Sequence, residues 1–394
     1  MTTTRRRWHF SALAAAALIV AGCGGGSTDA PLAKRVIVFG DSVSDVGTYT
    51  PATQIPLGQN PGVPPFFGGK FTTNSHTGYT ATNNTSNANV WIEWIAARLG
   101  VAITPAEVGF VTTRVPCPAQ ASGLASTCTG YAQGGSRVTD PNGIGKSAGA
   151  LTIPMVDQIA SHNTRAIPGL QAGFVDGDIV FVLGGNNDFF VQFGQVAASA
   201  IAPEDAVAAL QTAATELATL VKTEIIAKGA KRVVVMTLPD FTLTPAFSGL
   251  PADDKDLLNR LTDAFNAALL TGLDGSSARI INLRALGAAV VANPSAYGLT
   301  NVTAPACDVA IIGPITGGLI TPGSPFLSLF CNAAPAALFA AAGLPISFNG
   351  LAPGASASTY LFADGIHPTT GGHKILADQV WTALKDFGWV PDNL

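Results

Sequence analysis

Three runs of apolar β-formers stand out along the chain, Val36–Phe39, Ile179–Leu183 and Val233–Met236, with a shorter one at Ile280–Asn282. A strand with one wet face alternates apolar and polar residues. A continuous apolar run predicts a strand covered on both faces, as in a parallel sheet. Between these runs the apolar residues recur at helical spacing. In "NVWIEWIAARLG", Val90, Trp91, Trp94, Ile95 and Leu99 share one face and Gly100 is the stop. A longer helix is predicted from about Pro203 to Lys228, with Val207, Leu210, Leu217, Val221 and Ile225 on its stripe. Two more are predicted over about Asp253–Leu273 and Gly372–Phe387. Alternating strands and helices predict an α/β fold, a three-layer α/β/α sandwich around a central, mostly parallel sheet.

Two segments break the alternation, residues 48–88 and 294–358, both rich in Gly, Pro, Thr, Asn and Ala. They are expected to be ordered loop insertions over one rim of the sheet. The expected organisation is an export signal at 1–22, a flexible tether at 23–33 and a single domain over 34–394.

Composition narrows the partners. The 394 residues are 47% hydrophobic and 12% charged, ample for a large core, and the formal net charge is −4. That balance lacks the basic face a nucleic acid requires.

The N-terminus, "MTTTRRRWHFSALAAAALIVAGC", has an arginine-rich start and an apolar run from Phe10 to Val20, too short to span a bilayer. Val20-Ala21-Gly22-Cys23 resembles a bacterial lipobox. That resemblance implies cleavage before Cys23, lipidation of its thiol and attachment to the outer membrane through the glycine-rich tether. An ordinary secretory peptide, with a periplasmic or secreted product, is the alternative. Cleavage there removes Arg5, Arg6 and Arg7, so the 21 Lys and Arg fall to 18 against 25 acidic residues, a net charge of −7.

The other cysteines, Cys117, Cys128, Cys307 and Cys331, are even in number, which suits two disulfides in an oxidising compartment. Three connectivities are possible, and sequence neighbours favour Cys117–Cys128 and Cys307–Cys331. No Cys/His cluster has metal-ligand spacing, so no structural metal is expected.

Candidate chemistry gathers where strands end. In open α/β sheets, ligands bind outside the carboxyl ends of the strands. "RVIVFGDSVSDVG" delivers Ser42 to that end, and "DIVFVLGGNNDFF" delivers Asn187. "GYAQGGSRV" carries Gly134 and Gly135, and "YLFADGIHPTTGGH" sets Asp364 three residues before His367. A serine hydroxyl is a weak nucleophile until a base takes its proton. His367 suits that role, and Asp364 suits fixing its tautomer and stabilising the imidazolium. A glycine amide and an asparagine side chain are uncharged donors suited to an oxyanion.

"GDS" near the N-terminus, "GG" after an aromatic-Ala pair, "GxND" after a strand and "DxxHP" near the C-terminus resemble the four blocks of the GDSL, or SGNH, hydrolase family. The match runs from Val36 to about Leu384. "GGKFTTN" at 68–74 and "NPSAYGLTNVT" at 293–303 are similar to its secreted bacterial branch, which includes autotransporter esterases. The resemblance implies an SGNH-type, flavodoxin-like sandwich that needs no cofactor. It implies Ser42 as nucleophile, His367 as base and Asp364 as its support. The Ser42 and Gly135 amides and Asn187 are the implied oxyanion donors. The implied activity is that of a serine esterase or lipase forming an acyl-enzyme on Ser42, acting as a monomer on a lipid, a short-chain ester or an acetylated glycan. A carbohydrate-active acetylesterase is the alternative, and a non-catalytic surface lipoprotein would require a missing block. Two positions depart from the pattern: Val43 stands where the family name has leucine, and Ala363 where many relatives carry tryptophan.

Several residues are decoys. Ser147 in "GKSAG" satisfies the G-x-S-x-G elbow, but Asp140-Pro141-Asn142-Gly143 before it is turn chemistry rather than a strand. His76 and His162 have no nearby carboxylate at matching spacing and are expected to be solvated, and His373, in the first turn of the last helix, is expected to be a surface histidine. Asp41, Asp45 and Asp188 are expected to bond local turns rather than take part in chemistry.

Overall fold

The apolar runs form a four-stranded sheet, β1 (Arg35–Gly40), β2 (Asp178–Leu183), β3 (Val233–Met236) and β4 (Arg279–Ile281), paired in that order and parallel throughout. The computed structural model describes residues 32–55, 66–74, 89–333 and 349–393. In register, Val38 lies opposite Phe181 and Phe181 opposite Val234, so bulky β-formers stack across the sheet. Residues 129–133 extend it beyond β1. Val38 N donates to Thr129 O at 3.1 Å, Tyr131 N to Val38 O at 2.9 Å and Gln133 N to Gly40 O at 3.2 Å.

Successive residues of each strand point to opposite faces, and each face has its own core. Ile37, Phe39, Val180, Val182, Val233 and Val235 pack with the helices Met155–Thr164, Pro203–Leu220 and Ala252–Leu273. Val36, Val38, Ile179, Phe181, Val234 and Met236 pack on the other face with the helices Trp91–Arg98 and Thr370–Asp386. This is the three-layer α/β/α sandwich. Burial of each such aliphatic or aromatic side chain contributes roughly 1.5–3 kcal/mol.

The elements differ from expectation mostly at their ends. The long helix is α-helical over Pro203–Leu220 and continues as a π-helical turn, Val221–Ile226. Asn282 is not strand: its side chain accepts from Ala285 N and caps the helix Leu283–Ala292. The last helix starts two residues early because Thr369 caps it. The helix Asn186–Ala197, which follows β2 almost directly, was hidden by its polar start, "NND".

The inserted segments contain structure of their own. Within 294–358, Asn301–Pro305 pairs in parallel with Tyr360–Phe362, and Val309–Ile315 is helical. Within 48–88, Gln54–Ile55 pairs with Phe66–Phe67. Tyr49, Phe71, Leu151, Ile312, Leu329 and Phe330 form a third core that takes in Ala363, the neighbour of Asp364. Both disulfides join the favoured partners, Cys117 with Cys128 and Cys307 with Cys331. Among the described residues no helix is long and apolar enough to cross a membrane. Cys23 and nearly all of the tether lie outside the described residues.

Candidate active site

β1 must end on glycine. At Gly40 an added Cβ would lie 2.1 Å from the Leu183 carbonyl oxygen of β2, so no larger residue fits. The chain then turns at once. Asp41 accepts from Val43 N at 3.3 Å and caps the short turn Ser42–Ser44. Its other oxygen accepts from the Asn186 side chain at 2.8 Å. Burial pushes the Asp41 carboxyl up to about 6, against the opposing pull of the hydrogen bonds from Asn186 and Val43.

From this turn Ser42 Oγ reaches His367 Nε2 at 2.9 Å, and His367 Nδ1 reaches Asp364 Oδ2 at 2.8 Å. Asp364 is fixed by its own turn, where Oδ1 accepts from Ile366 N at 2.9 Å and His367 N at 2.7 Å. Burial by itself would raise the Asp364 carboxyl. The adjacent imidazole, with hydrogen bonds from His367 and Ser328, outweighs burial and holds it below the usual carboxylate range. All three side chains are buried: Ser42 is 8% exposed, Asp364 2% and His367 3%. An imidazole held between a hydroxyl and an ionised carboxylate can take the hydroxyl proton and carry the resulting charge.

Gly135 and Asn187 line the same cleft as Ser42 and His367, a space of about 880 Å³. Gly135 has φ +81°, and a Cβ there would lie 2.0 Å from the Ile144 carbonyl oxygen, so the position excludes other residues. One N–H of the Asn187 amide donates to Ser136 O at 2.8 Å, which orients the group and leaves its second N–H. Asp188 accepts from Arg137 Nε and Val138 N, both at 3.0 Å, and so fastens the start of the Asn187 helix to the Gly135 segment. A narrower lobe of about 160 Å³ also opens at Ser42 and His367, on the side of the helix Leu283–Ala292.

Two histidines expected to be solvated are buried. His162, 1% exposed, packs against Phe39, Tyr131 and Phe174 and bonds Tyr131 Oη through Nδ1 at 3.2 Å. Burial lowers it to about 4. His373 is fully buried because the last helix packs its first turn against the start of the helix Trp91–Arg98. Its Nδ1 accepts from Trp91 N and its Nε2 donates to Phe71 O, both at 3.3 Å, and burial lowers it to about 3. Both are neutral structural groups. His76 lies outside the described residues. Ser147 is exposed on the turn Lys146–Ala148, and among the described residues no hydrogen bond joins it to a histidine.

Sequence reasoning missed Ser328, Phe71 and Asn186. Ser328 Oγ lies 3.4 Å from His367 Nδ1, and the Phe71 ring is centred 4.9 Å from the imidazole. Ser328 and Phe71 come from the two inserted segments, where no local periodicity marks a residue that faces inward. Among the described residues no group of His, Cys, Asp and Glu is arranged to hold a metal ion.

Residues 36–380 match the family described as GDSL-like Lipase/Acylhydrolase. The chain is also 27% identical over 356 residues to a Pseudomonas putida protein described as uncharacterized, in the trpE-trpG intergenic region. That match takes in 89% of this chain and 48% of the relative. Two proteins named Esterase EstA, from Pseudomonas aeruginosa and Pseudomonas putida, are each 30% identical over 158 residues. Those matches take in 40% of this chain and 20% of each relative. The chain therefore spans about half the length, or less, of these curated relatives.

Proposed function

The chain belongs to the GDSL-like lipase/acylhydrolase family, and on that premise we propose that it hydrolyses carboxylic esters through an acyl-enzyme on Ser42. The observation that carries the reading is the continuous chain of contacts Ser42–His367–Asp364, at 2.9 and 2.8 Å. His367 Nε2 takes the Ser42 proton as Oγ attacks the ester carbonyl carbon. The tetrahedral oxyanion is met by the Ser42 and Gly135 amides and the second N–H of Asn187. Collapse breaks the ester C–O bond, and His367 returns the proton to the leaving alcohol. A water, deprotonated in turn by His367, then attacks the acyl-enzyme and releases the acid. Every step uses protein groups and water.

The test is hydrolysis of p-nitrophenyl acyl esters, with mass spectrometry of the Ser42 peptide for a trapped acyl adduct. Ser42→Ala should lose about 10³- to 10⁶-fold in turnover, the usual range for a triad residue, and Ser147→Ala should retain it. The reverse result would sink the reading.

We also propose an address for this activity, a bacterial outer-membrane lipoprotein held through Cys23. The support is the sequence Val20-Ala21-Gly22-Cys23 followed by a glycine-rich arm. Several acyl chains hold a protein stably at a bilayer where one binds only marginally. Expressed natively, the protein should sediment with membranes, and Cys23→Ser should be soluble or unprocessed. An unmodified mature terminus beyond Cys23 would instead mean a freely released enzyme.

A further inference from the structure

We propose that the narrow lobe beside Ser42 is an acyl-chain site that selects medium-length fatty acyl esters, with Gly287 setting its depth. This rests on the esterase reading above and deepens it. The lobe opens at Ser42 and His367 and is otherwise walled almost entirely by apolar groups, among them Phe241, Leu243, Leu286, Val290 and Leu376. Such a wall satisfies an alkyl chain and leaves the hydroxyls of a sugar unpaired.

The arrangement of the two lobes assigns the substrate's halves. Gly135 and Asn187 line only the wide cleft, so an oxyanion directed at them lies on that side of the carbonyl carbon. The wide cleft sets Asp308 and Ser324 among mostly apolar walls, and at about 880 Å³ it has room for a leaving alcohol of any size. The acyl chain takes the remaining direction, into the narrow lobe. At about 160 Å³ that lobe matches an apolar cavity of about 150 Å³ that accepts benzene, so it holds a chain of on the order of six carbons.

Gly287 sits inside the helix Leu283–Ala292. Glycine weakens a helix interior relative to alanine, so a packing reason for it is expected. None exists here, because a Cβ at position 287 would meet no atom within 4 Å. What glycine provides at this position is open space in the lobe.

The experiment compares p-nitrophenyl esters of increasing acyl length with a parallel series of alkyl acetates of increasing alcohol length. In the native protein kcat/KM should climb roughly fourfold per added methylene up to about six carbons along the acyl series, and then fall. Gly287→Phe should lower the hexanoate-to-acetate ratio at least ~tenfold, by the 10- to 200-fold effect of methylenes in apolar pockets. Leu286→Ala should move the optimum to longer acyl chains, and it carries the test independently if the phenylalanine variant does not fold. Acetate hydrolysis with a flat acyl profile, native and variant alike, would overturn the acyl site while leaving the esterase reading intact. So would substitutions at Gly287 that change only the alkyl acetate series, or a preference for acetylated glycan over every fatty acyl ester. No hydrolysis of any ester would remove both.

Discussion

Asp45 and Gly134, 89 positions apart, are bonded directly: the Gly134 amide donates to Asp45 Oδ2 at 2.9 Å. The other oxygen of the same carboxylate accepts from Gly47 N at 2.9 Å and Thr48 N at 2.7 Å. One buried carboxylate thus ties the turn behind Ser42 to the residue before Gly135. Burial raises the Asp45 carboxyl, and the hydrogen bonds from Thr48, Gly134 and Gly47 oppose that rise. Asp45 therefore helps to set the two halves of the site relative to each other, together with Tyr49, whose hydroxyl donates to Gly134 O at 2.8 Å, and the bond from Gln133 N to Gly40 O.

Asp45→Asn tests that linkage. An amide has only one acceptor oxygen, so its NH₂ would face either Gly134 N–H or the Gly47 and Thr48 amides. Leaving such buried donors unpaired costs about 1–3 kcal/mol. We expect a lower Tm together with a fall in kcat of about 10²-fold, the scale of a misplacement near 1 Å, and little change in KM. A variant with lower Tm and native kcat would show that Asp45 stabilises the fold without placing Gly135.

Asn187→Ala removes the one side chain proposed as an oxyanion donor while sparing the backbone. Turnover should fall by about 10²- to 10³-fold with the fold intact by circular dichroism. A raised KM at native kcat would instead make Asn187 a substrate-binding group. Because Asn187 also donates to Ser136 O, a crystal structure of the variant should show whether that loop stays in place.

Much of this site was legible because its residues obey local rules. Asp364 reaches His367 within one turn, so a spacing of three reveals the pair. Gly135, by contrast, shows in the sequence only through its resemblance to a family block, and the close backbone approaches at Gly40 and Gly135 appear only in the structure. The sheet was legible because β1, β2 and β3 are continuous apolar runs with both faces covered. His162 and His373 were misjudged as solvated because a histidine's burial is set by its partners. Those partners, Tyr131 for one and Trp91 and Phe71 for the other, lie 31, 282 and 302 positions away respectively. Ser328 and the lining of the narrow lobe were illegible for the same reason. Their meaning comes from tertiary contacts of loops and of the helix Leu283–Ala292, whose apolar face looks like any other from its sequence.

The disulfides should act differently. Cys117–Cys128 closes a short loop packed with Ala125, Ile167 and Leu170, and neither cysteine lines the spaces beside Ser42. Cys307 N donates to Ala363 O at 2.8 Å, next to Asp364, and Cys331 follows the short helical turn that holds Ser328. Each cross-link is worth roughly 3 kcal/mol through the unfolded chain. Serine replacement of the first pair should lower Tm with turnover kept at permissive temperature. Replacement of the second pair should lower Tm and also reduce turnover, as Ser328 loosens from His367 and Asp364. Equal turnover in the two variants would show that the second bridge does not hold the site.

Asp41 carries the last prediction, which concerns pH. Its carboxyl stands at about 6 in the folded protein against an ordinary value of 3.8, because burial disfavours its charge. The protonated form is thus the one the fold prefers. Its contribution is fully present below about pH 4 and is lost as pH rises through about 6. Asp41→Asn resembles the protonated acid and cannot ionise. Its stability relative to the native protein should therefore grow between about pH 4 and 7, by on the order of 3 kcal/mol, and then level off. Urea unfolding of both proteins across that range isolates this group from every other titration they share. The same substitution should lower turnover at neutral pH, because the ionised Asp41 carboxylate and a charged His367 attract each other. In the proposed reaction that attraction favours the imidazolium formed as Ser42 gives up its proton. A stability difference that does not vary with pH would mean that Asp41 keeps one charge state throughout. Native turnover in the variant would confine Asp41 to shaping the turn.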